Sequence, residues 1–289
     1  MVTFYLMTQK GYLILNDVIN SFGASIIDAV VSERDSNIEK DFYDEIESLC
    51  AANDIKFCNR KDQFTATSKY CITISWRWLI KEHNSTLIVI HDSLLPRYRG
   101  FNPLVTALIN GDDQIGATAL FANEEFDTGD IIYQSAIDVQ YPLKIADAIR
   151  QIVFCYTEVI KKILQDLLHN QELPRTKQDD EAASYSLWRD EKDYEIDWNM
   201  PAPYIKRYID SLGSPYKGAS TSVNGMPVRI IDAAVADDLN ISNRTAGKII
   251  FIKDGMPHVV CGAGILKIQK MLDDNALPVT LNKMRVRFG

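Results

Sequence analysis

The chain alternates short runs of consecutive apolar residues with longer stretches in which apolar positions recur every three or four residues. Residues 2–6 (VTFYL), 24–31, 55–58, 70–75 and 87–90 are runs of the first kind and read as buried strands. Between them, Leu13, Ile14, Val18, Ile19 and Phe22 share one helical face, and so do Tyr43, Ile46, Leu49 and Cys50 over residues 41–52. Strands alternating with helices at this rhythm predict an α/β domain with a parallel sheet and right-handed crossovers. A helix over 102–110 follows, with Leu104, Val105, Leu108 and Ile109 inward and Gly111 as its stop. Residues 115–121 and 131–133 are further strands. A long helix over 143–168 keeps Ile145, Ile149, Ile152, Tyr156, Val159, Ile160, Ile163 and Leu167 in helical register.

The pattern then changes. Residues 170–183 are polar, contain Pro174 and carry both charge signs, as a linker does. Trp188, Tyr194 and Trp198 sit among charges, and a helix over 202–211 leads into short strands. Asn224-Gly225 and Asp254-Gly255 between those strands are tight-turn chemistry. The expected division is a first domain over 1–169, a linker over 170–200 and a smaller β-rich domain over 201–289.

Composition narrows the function. With 46% hydrophobic and 24% charged residues in 289, the chain can bury a large core. A net charge of −8 argues against a protein whose business is gripping nucleic-acid phosphates. No stretch of about 18 apolar residues exists to span a membrane. The opening apolar run is too short for a signal peptide and lacks a basic leader, so a cytoplasmic protein is expected. The five cysteines form no CxxC pair and the four histidines no zinc spacing, which leaves reduced packing thiols and no metal. Neither GxGxxG nor GxxxxGK[ST] follows the first strand, so the sheet must hold its ligand without a glycine-rich phosphate loop.

Candidate chemistry starts at residues 91–100, HDSLLPRYRG. His91 ends a strand and opens a loop, the place where open α/β sheets keep ligands. A lone histidine there is more often a cap or a core residue. A second strand, however, leads into an acidic loop at 122–130 that contains Asp127. With both loops expected at one edge of the sheet, Asp127 can hydrogen-bond His91, fix its tautomer and raise its basicity. Asp127 also suits an Asx-turn before Thr128-Gly129, and both readings can hold together.

His-x-Ser-Leu-Leu-Pro-x-Tyr-Arg-Gly at 91–100, followed by Asp-Thr-Gly-Asp at 127–130, resembles the formyltransferases that use 10-formyltetrahydrofolate. Ile196-Asp197-Trp198, the segment SPYKGA at 214–219 and Val223-Asn224-Gly225 resemble the C-terminal domain shared by methionyl-tRNA and sugar-nucleotide members. The resemblance implies an open, mostly parallel Rossmann-like domain with a β-rich, OB-like C-terminal domain. It implies an N-formyltransferase with 10-formyltetrahydrofolate as co-substrate and no metal.

In the family an Asn and a His stabilise the oxyanion while an Asp positions water and the His. His91 and Asp127 take two of these roles. The family's Asn position is Val89 here, and losing one oxyanion donor typically costs about 2.7–4 kcal/mol. Asn102 is the nearest replacement by sequence. The resemblance further implies folate contacts at Trp78, Leu79, Ile80, Ala122, Asn123, Glu124 and Asp130, although Trp76 and Trp78 suit an amphipathic segment packed on the core equally well. Arg97, Arg99, Phe101 and Tyr216 are the substrate-binding candidates. Phe101 stands where one branch has an Arg, and solvated loop arginines are the plain alternative for Arg97 and Arg99.

The acceptor expected is a nucleotide-linked amino sugar for surface glycan synthesis, on a homodimer with no nucleic acid or membrane partner. The acidic charge and short C-terminal half disfavour tRNA. The alternatives are methionyl-tRNA formyl transfer and a catalytically weakened folate- or sugar-binding relative. A hydrolase without folate is a more distant one, since no GxSxG-type nucleophile motif appears.

Overall fold

The computed structural model describes residues 1–36, 38–62, 64–80, 84–281 and 283–289. They form two compact units. The first comprises Met1–Leu104, Gln114–Val139 and Ala148–Leu187, and the second Val105–Asp113, Gln140–Asp147 and Trp188–Gly289.

The VTFYL run forms β1 (Val2–Leu6), every residue of it buried. Along the chain follow α1 (Thr8–Phe22), β2 (Ile27–Ser32), α2 (Tyr43–Ala52), β3 (Lys56–Asn59), β4 (Tyr70–Ile74) and β5 (Thr86–His91). Then come β6 (Arg99–Gly100), α3 (Pro103–Asn110), β7 (Gln114–Phe121), β8 (Ile131–Asp138), α4 (Ile145–Leu168) and β9 (Tyr185–Ser186). The main sheet has seven strands in the order β3-β2-β1-β4-β5-β7-β8. The chain winds outward from β1 to β3 and then returns to β4, so the order reverses at β1. That reversal is where such sheets open a crevice at the carboxyl ends of their strands. The buried stripe of α4, including Ile152, Tyr156, Val159, Ile160 and Ile163, keeps the helical period that its sequence predicts.

The sheet is mostly parallel, as expected, but β7 runs antiparallel to both β5 and β8. This corrects the expected placing of the acidic loop. Ile88 pairs with Phe121 and His91 with Thr118, so β7 ends beside the start of β5. The Ala122 amide donates to the Leu87 carbonyl at 2.9 Å. The loop after β7 thus leaves at the opposite end of β5 from His91 and must fold back to reach it.

Residues 170–187 do not behave as a free linker. Thr176 and Ile131 exchange backbone hydrogen bonds of 2.9 and 2.8 Å. Further on, β9 pairs in parallel with β6. Polar composition suits this path because the segment bonds through backbone and polar side chains, with Leu173 buried near its start.

In the second unit α5 (Ala202–Leu212) packs on a five-stranded antiparallel sheet. Its strands are β10 (Ala219–Val223), β11 (Met226–Ala236), β12 (Ile249–Lys253), β13 (Met256–Val260) and β14 (Ile265–Leu272). The turns Asn224-Gly225 and Asp254-Gly255 take positive φ at both central residues (49° and 81°, 52° and 74°), the tight-hairpin geometry their sequence predicts. Trp198 is 4% exposed, donates to Thr221 Oγ1 at 2.9 Å and packs its ring at a tilt against Phe288. Residues 105–113 join this unit through Arg207, whose Nε donates to the Ile109 carbonyl at 3.0 Å.

All five cysteines are buried thiols. Burial pushes Cys50 and Cys261 up to about 12. Among the described residues, no helix is long and apolar enough to cross a membrane.

Candidate functional site

His91 ends β5 and is 7% exposed. Its Nε2 lies 2.8 Å from the Tyr98 carbonyl, which only accepts, so Nε2 carries the hydrogen. The other nitrogen, Nδ1, stands 3.5 Å from Asp127 Oδ2. The ring's orientation is therefore fixed, with Nδ1 beside a carboxylate. A proton arriving at Nδ1 would be held between the two groups, which is what acid–base work requires.

Asp127 reaches this place through the folded-back loop. It takes φ 58°, in the left-handed region that Asp tolerates better than most residues. Its Oδ2 also accepts the Gly100 amide at 2.8 Å. The Gln178 amide donates to the carbonyls of both Asp127 and Gly129, at 2.7 and 2.8 Å. A side chain at Gly129 would put Cβ 1.8 Å from the Phe121 carbonyl oxygen, so only glycine lets the loop turn here. Gly100, at φ 99°, has the Ser186 carbonyl 2.6 Å from where a Cβ would sit.

The structure joins His91 to Asp127 and leaves Asn102 apart. Asn102 takes φ 49° just before α3, and its side chain hydrogen-bonds neither His91 nor Asp127. Val89 lies two residues before His91 on β5 and so projects from the same sheet face, half-buried and apolar. The missing amide is therefore not supplied by Asn102 in this arrangement.

The expected folate residues flank β5 on both sides, 78–80 following β4 and 122–130 following β7. Ile80 and Trp76 pack against the core cluster around Tyr5, Val31 and Cys71. Trp78 stacks edge-on against Trp76, with the Arg60 guanidinium 4.5 Å from its ring centre. Leu79 is 77% exposed. Ala122, Asn123 and Glu124 are exposed, and Asn123 Oδ1 braces the loop by accepting from the Glu125 amide and Thr128 Oγ1. Asp130 pairs with Arg175 at 3.5 Å. Among the described residues, Trp76 Nε1 and Ser75 Oγ are buried without hydrogen-bond partners, a few residues before the exposed Leu79. An apolar edge with orphaned polar atoms fits a flat, polar-rimmed heterocycle.

The substrate-binding candidates separate. Arg99 is 2% exposed, and its Nε donates to Gln178 Oε1 at 3.0 Å while Nη2 donates to Asp180 Oδ1 at 2.7 Å. Expected at a ligand, it is instead an internal brace, because its donors are turned into the protein. Arg97 is exposed and lies over the Tyr98 ring at 4.9 Å. Phe101 is 50% and Phe126 75% exposed, with ring centres 6.3 Å apart. Tyr216 belongs to the second unit, where its amide donates to the Gly213 carbonyl at 2.9 Å.

Sequence reasoning missed a second set of residues below the loop. Lys10 of α1 forms a salt bridge with Asp92, and Tyr156 of α4 donates to the same carboxylate. Burial pushes the Asp92 carboxyl up, but Lys10 and Tyr156 hold it below the ordinary carboxylate value. The one sequence signal was a charged residue directly after an apolar strand. Gln178 had none, being a polar residue in a polar segment. Among the described residues, no group of His, Cys, Asp or Glu could hold a metal ion.

Fold and site together define a two-unit α/β protein that sets a His–Asp pair, rather than a phosphate loop, against its mostly parallel sheet. The chain belongs to the formyl transferase family: residues 62–153 match "Formyl transferase" and 189–284 match "Formyl transferase, C-terminal domain". A methionyl-tRNA formyltransferase of Syntrophomonas wolfei is 33% identical over 63% of this chain and 57% of its own length. The chain thus spans less than two thirds of the length of curated relatives it matches. An N-formyltransferase from Helicobacter canadensis, solved with folinic acid and dTDP-3-aminofucose, shares the fold. It has a TM-score of 0.71 and 16% identity, over 93% of this chain and 98% of that one. The methionyl-tRNA formyltransferase from Clostridium thermocellum gives 0.55 and 20%, over 82% and 94%.

Proposed function

We propose that this protein transfers a formyl group from 10-formyltetrahydrofolate to the amino group of a nucleotide-linked amino sugar. The observation that carries this reading is His91, oriented by its Nε2 bond to the Tyr98 carbonyl, with Nδ1 at 3.5 Å from the Asp127 carboxylate. The neutral amine attacks the formyl carbon, and Nδ1 of His91 takes the proton the amine must lose. Asp127 balances the imidazolium, whose Nδ1–H then stabilises the oxyanion and returns a proton to the departing nitrogen. Trp78, Leu79 and the backbone of 122–124 are assigned to the folate side. Arg97, Phe101 and Phe126 are assigned to the acceptor side.

The net charge of −8 supports a small acceptor over a polyanionic one. The greater likeness in fold to a sugar enzyme supports it too. The identity with the Syntrophomonas protein favours a second reading, formyl transfer to methionyl-tRNA. The test incubates the protein with 10-formyltetrahydrofolate and either a panel of amino-sugar nucleotides or charged initiator tRNA. Tetrahydrofolate release and the mass of the formylated product are measured. Turnover confined to an amino-sugar nucleotide is expected; turnover confined to tRNA overturns the acceptor, and folate binding without turnover on any amine overturns the activity.

A further inference from the structure

Asp127 sits on an exposed loop that leaves the sheet at the far end of β5, so something must hold its carboxylate at His91. The Gly100 amide supplies one hydrogen bond, at 2.8 Å. Backbone conformation works against the arrangement, since φ 58° is a minor state for any residue with a side chain. The remaining restraint comes from a segment whose sequence reads as a linker.

Gln178 is built into this place from both ends of its amide. Its Nε2 donates to two carbonyls of the same turn, those of Asp127 (2.7 Å) and Gly129 (2.8 Å). Its Oε1 accepts Arg99 Nε at 3.0 Å. Arg99 is fixed in turn, 2% exposed and bonded to Asp180 Oδ1 at 2.7 Å. The next residue after Arg99 is Gly100, whose amide holds the Asp127 carboxylate. The contacts therefore close a ring: Asp127 carboxylate, Gly100 amide, Arg99 guanidinium, Gln178 amide, Asp127 carbonyl. Residues 176–186 keep Gln178 in reach, because Thr176 bonds to Ile131 and β9 pairs with β6.

We infer that Gln178 is a positioning residue, which sets the Asp127 carboxylate against His91 by fixing both carbonyls of the loop that carries it. The chemistry is selective for this side chain. Glutamate has the same shape, but it would present a carboxylate to two carbonyl oxygens and lose the donor. Asparagine is shorter by one methylene and cannot span from Arg99 to both carbonyls. The inference rests on the role proposed above for Asp127.

The test compares the wild type with Gln178→Glu, Gln178→Ala, Asp127→Ala and the Gln178→Ala/Asp127→Ala double variant, in the full chain. Displacement of a reacting group by about 1 Å can cost on the order of 100-fold in rate. The kcat of Gln178→Glu is therefore expected to fall by roughly that factor, with both KM values within about threefold. In the Asp127→Ala background the Gln178→Ala change should have no further effect on kcat, since there is no carboxylate left to place. A role in stability alone would lower kcat in both backgrounds alike, and thermal melting identifies any variant that fails to fold. An unchanged kcat in Gln178→Glu, or equal effects in both backgrounds, overturns the inference.

A second readout needs no turnover. The chain has four histidines, so the His91 ring signals can be assigned in nitrogen NMR by their loss in His91→Gln. They should move in Gln178→Ala in the direction they move in Asp127→Ala. An inert wild type would sink the proposed activity alone, and His91 signals identical in wild type and Gln178→Ala would then overturn the positioning role.

Discussion

Removing the Asp92 carboxylate should destabilise the first unit more than almost any other polar change. Its partner Lys10 has a side chain only 11% exposed, against 19% for Asp92 itself. In Asp92→Ala the ammonium is left with the face of Tyr156, whose ring centre is 5.3 Å away, as its nearest compensation. Breaking a buried pair on one side typically costs about 3–5 kcal/mol, because the surviving charge stays desolvated. At about 2–4 °C per kcal/mol for a domain of this order of size, the melting temperature should drop by about 6–20 °C. Lys10→Met with Asp92→Leu removes both charges and leaves the Tyr156 hydroxyl 3.3 Å from the Ile90 carbonyl. That double variant should return to within about 1 kcal/mol of the wild type. Urea unfolding followed by tryptophan fluorescence, with thermal melting alongside, makes the measurement. The sign with pH is fixed as well. The native carboxyl titrates below its ordinary value, so the contribution is full above the ordinary carboxylate range and is lost as pH falls through the lowered value. The gap between wild type and Asp92→Ala should therefore close only in strong acid. A loss under about 1 kcal/mol at neutral pH, or a double variant no more stable than Asp92→Ala, would refute the reasoning.

Three further outcomes are expected. Val89→Asn places an amide on the sheet face of His91, and an oxyanion donor is worth about 10²–10³ in kcat; no gain in turnover would mean that another group already does this work. Replacing both Phe101 and Phe126 by Ser should raise the acceptor KM about 2–10-fold, the worth of an aromatic contact, and leave the folate KM unchanged; a shift in the folate KM instead would put the pair on the other substrate. Burial, reinforced by Lys253 and Lys267, lowers the His258 pKa in the second unit. Below its ordinary value the unfolded state binds the extra proton, so that unit should lose stability from pH 7 to 5. His258→Leu should flatten this slope, and an unchanged slope would place its origin elsewhere.

Much of this was legible in the residues because it is periodic or local. The burial of β1, the stripe of α4 and the hairpin turns at Asn224-Gly225 and Asp254-Gly255 follow from spacing and turn chemistry alone. His91 and Asp127 were legible as a pair, although the direction of β7 was not. The connection over residues 92–113 is long enough for either a crossover or a return, and nothing in its composition selects one. Gln178 and Lys10 were hidden for a different reason. A hydrogen bond between side chains far apart in sequence leaves no period, and a buried lysine or arginine such as Arg99 looks in sequence like a surface one. Asn102 failed by the converse error, since nearness along the chain did not bring its side chain to His91.

The pairing of β6 with β9, together with the ring through Gln178, changes where the protein can be divided. A cut at residue 169, where the apolar pattern ends, would leave every strand of the seven-stranded sheet intact and remove β9 with Gln178, Asp180 and Tyr185. Such a fragment would keep its fold while its acidic loop lost its anchor. An exchange of the chain's C-terminal segment between relatives would therefore need its crossover after Leu187, where the first unit ends. The first unit is longer than its core.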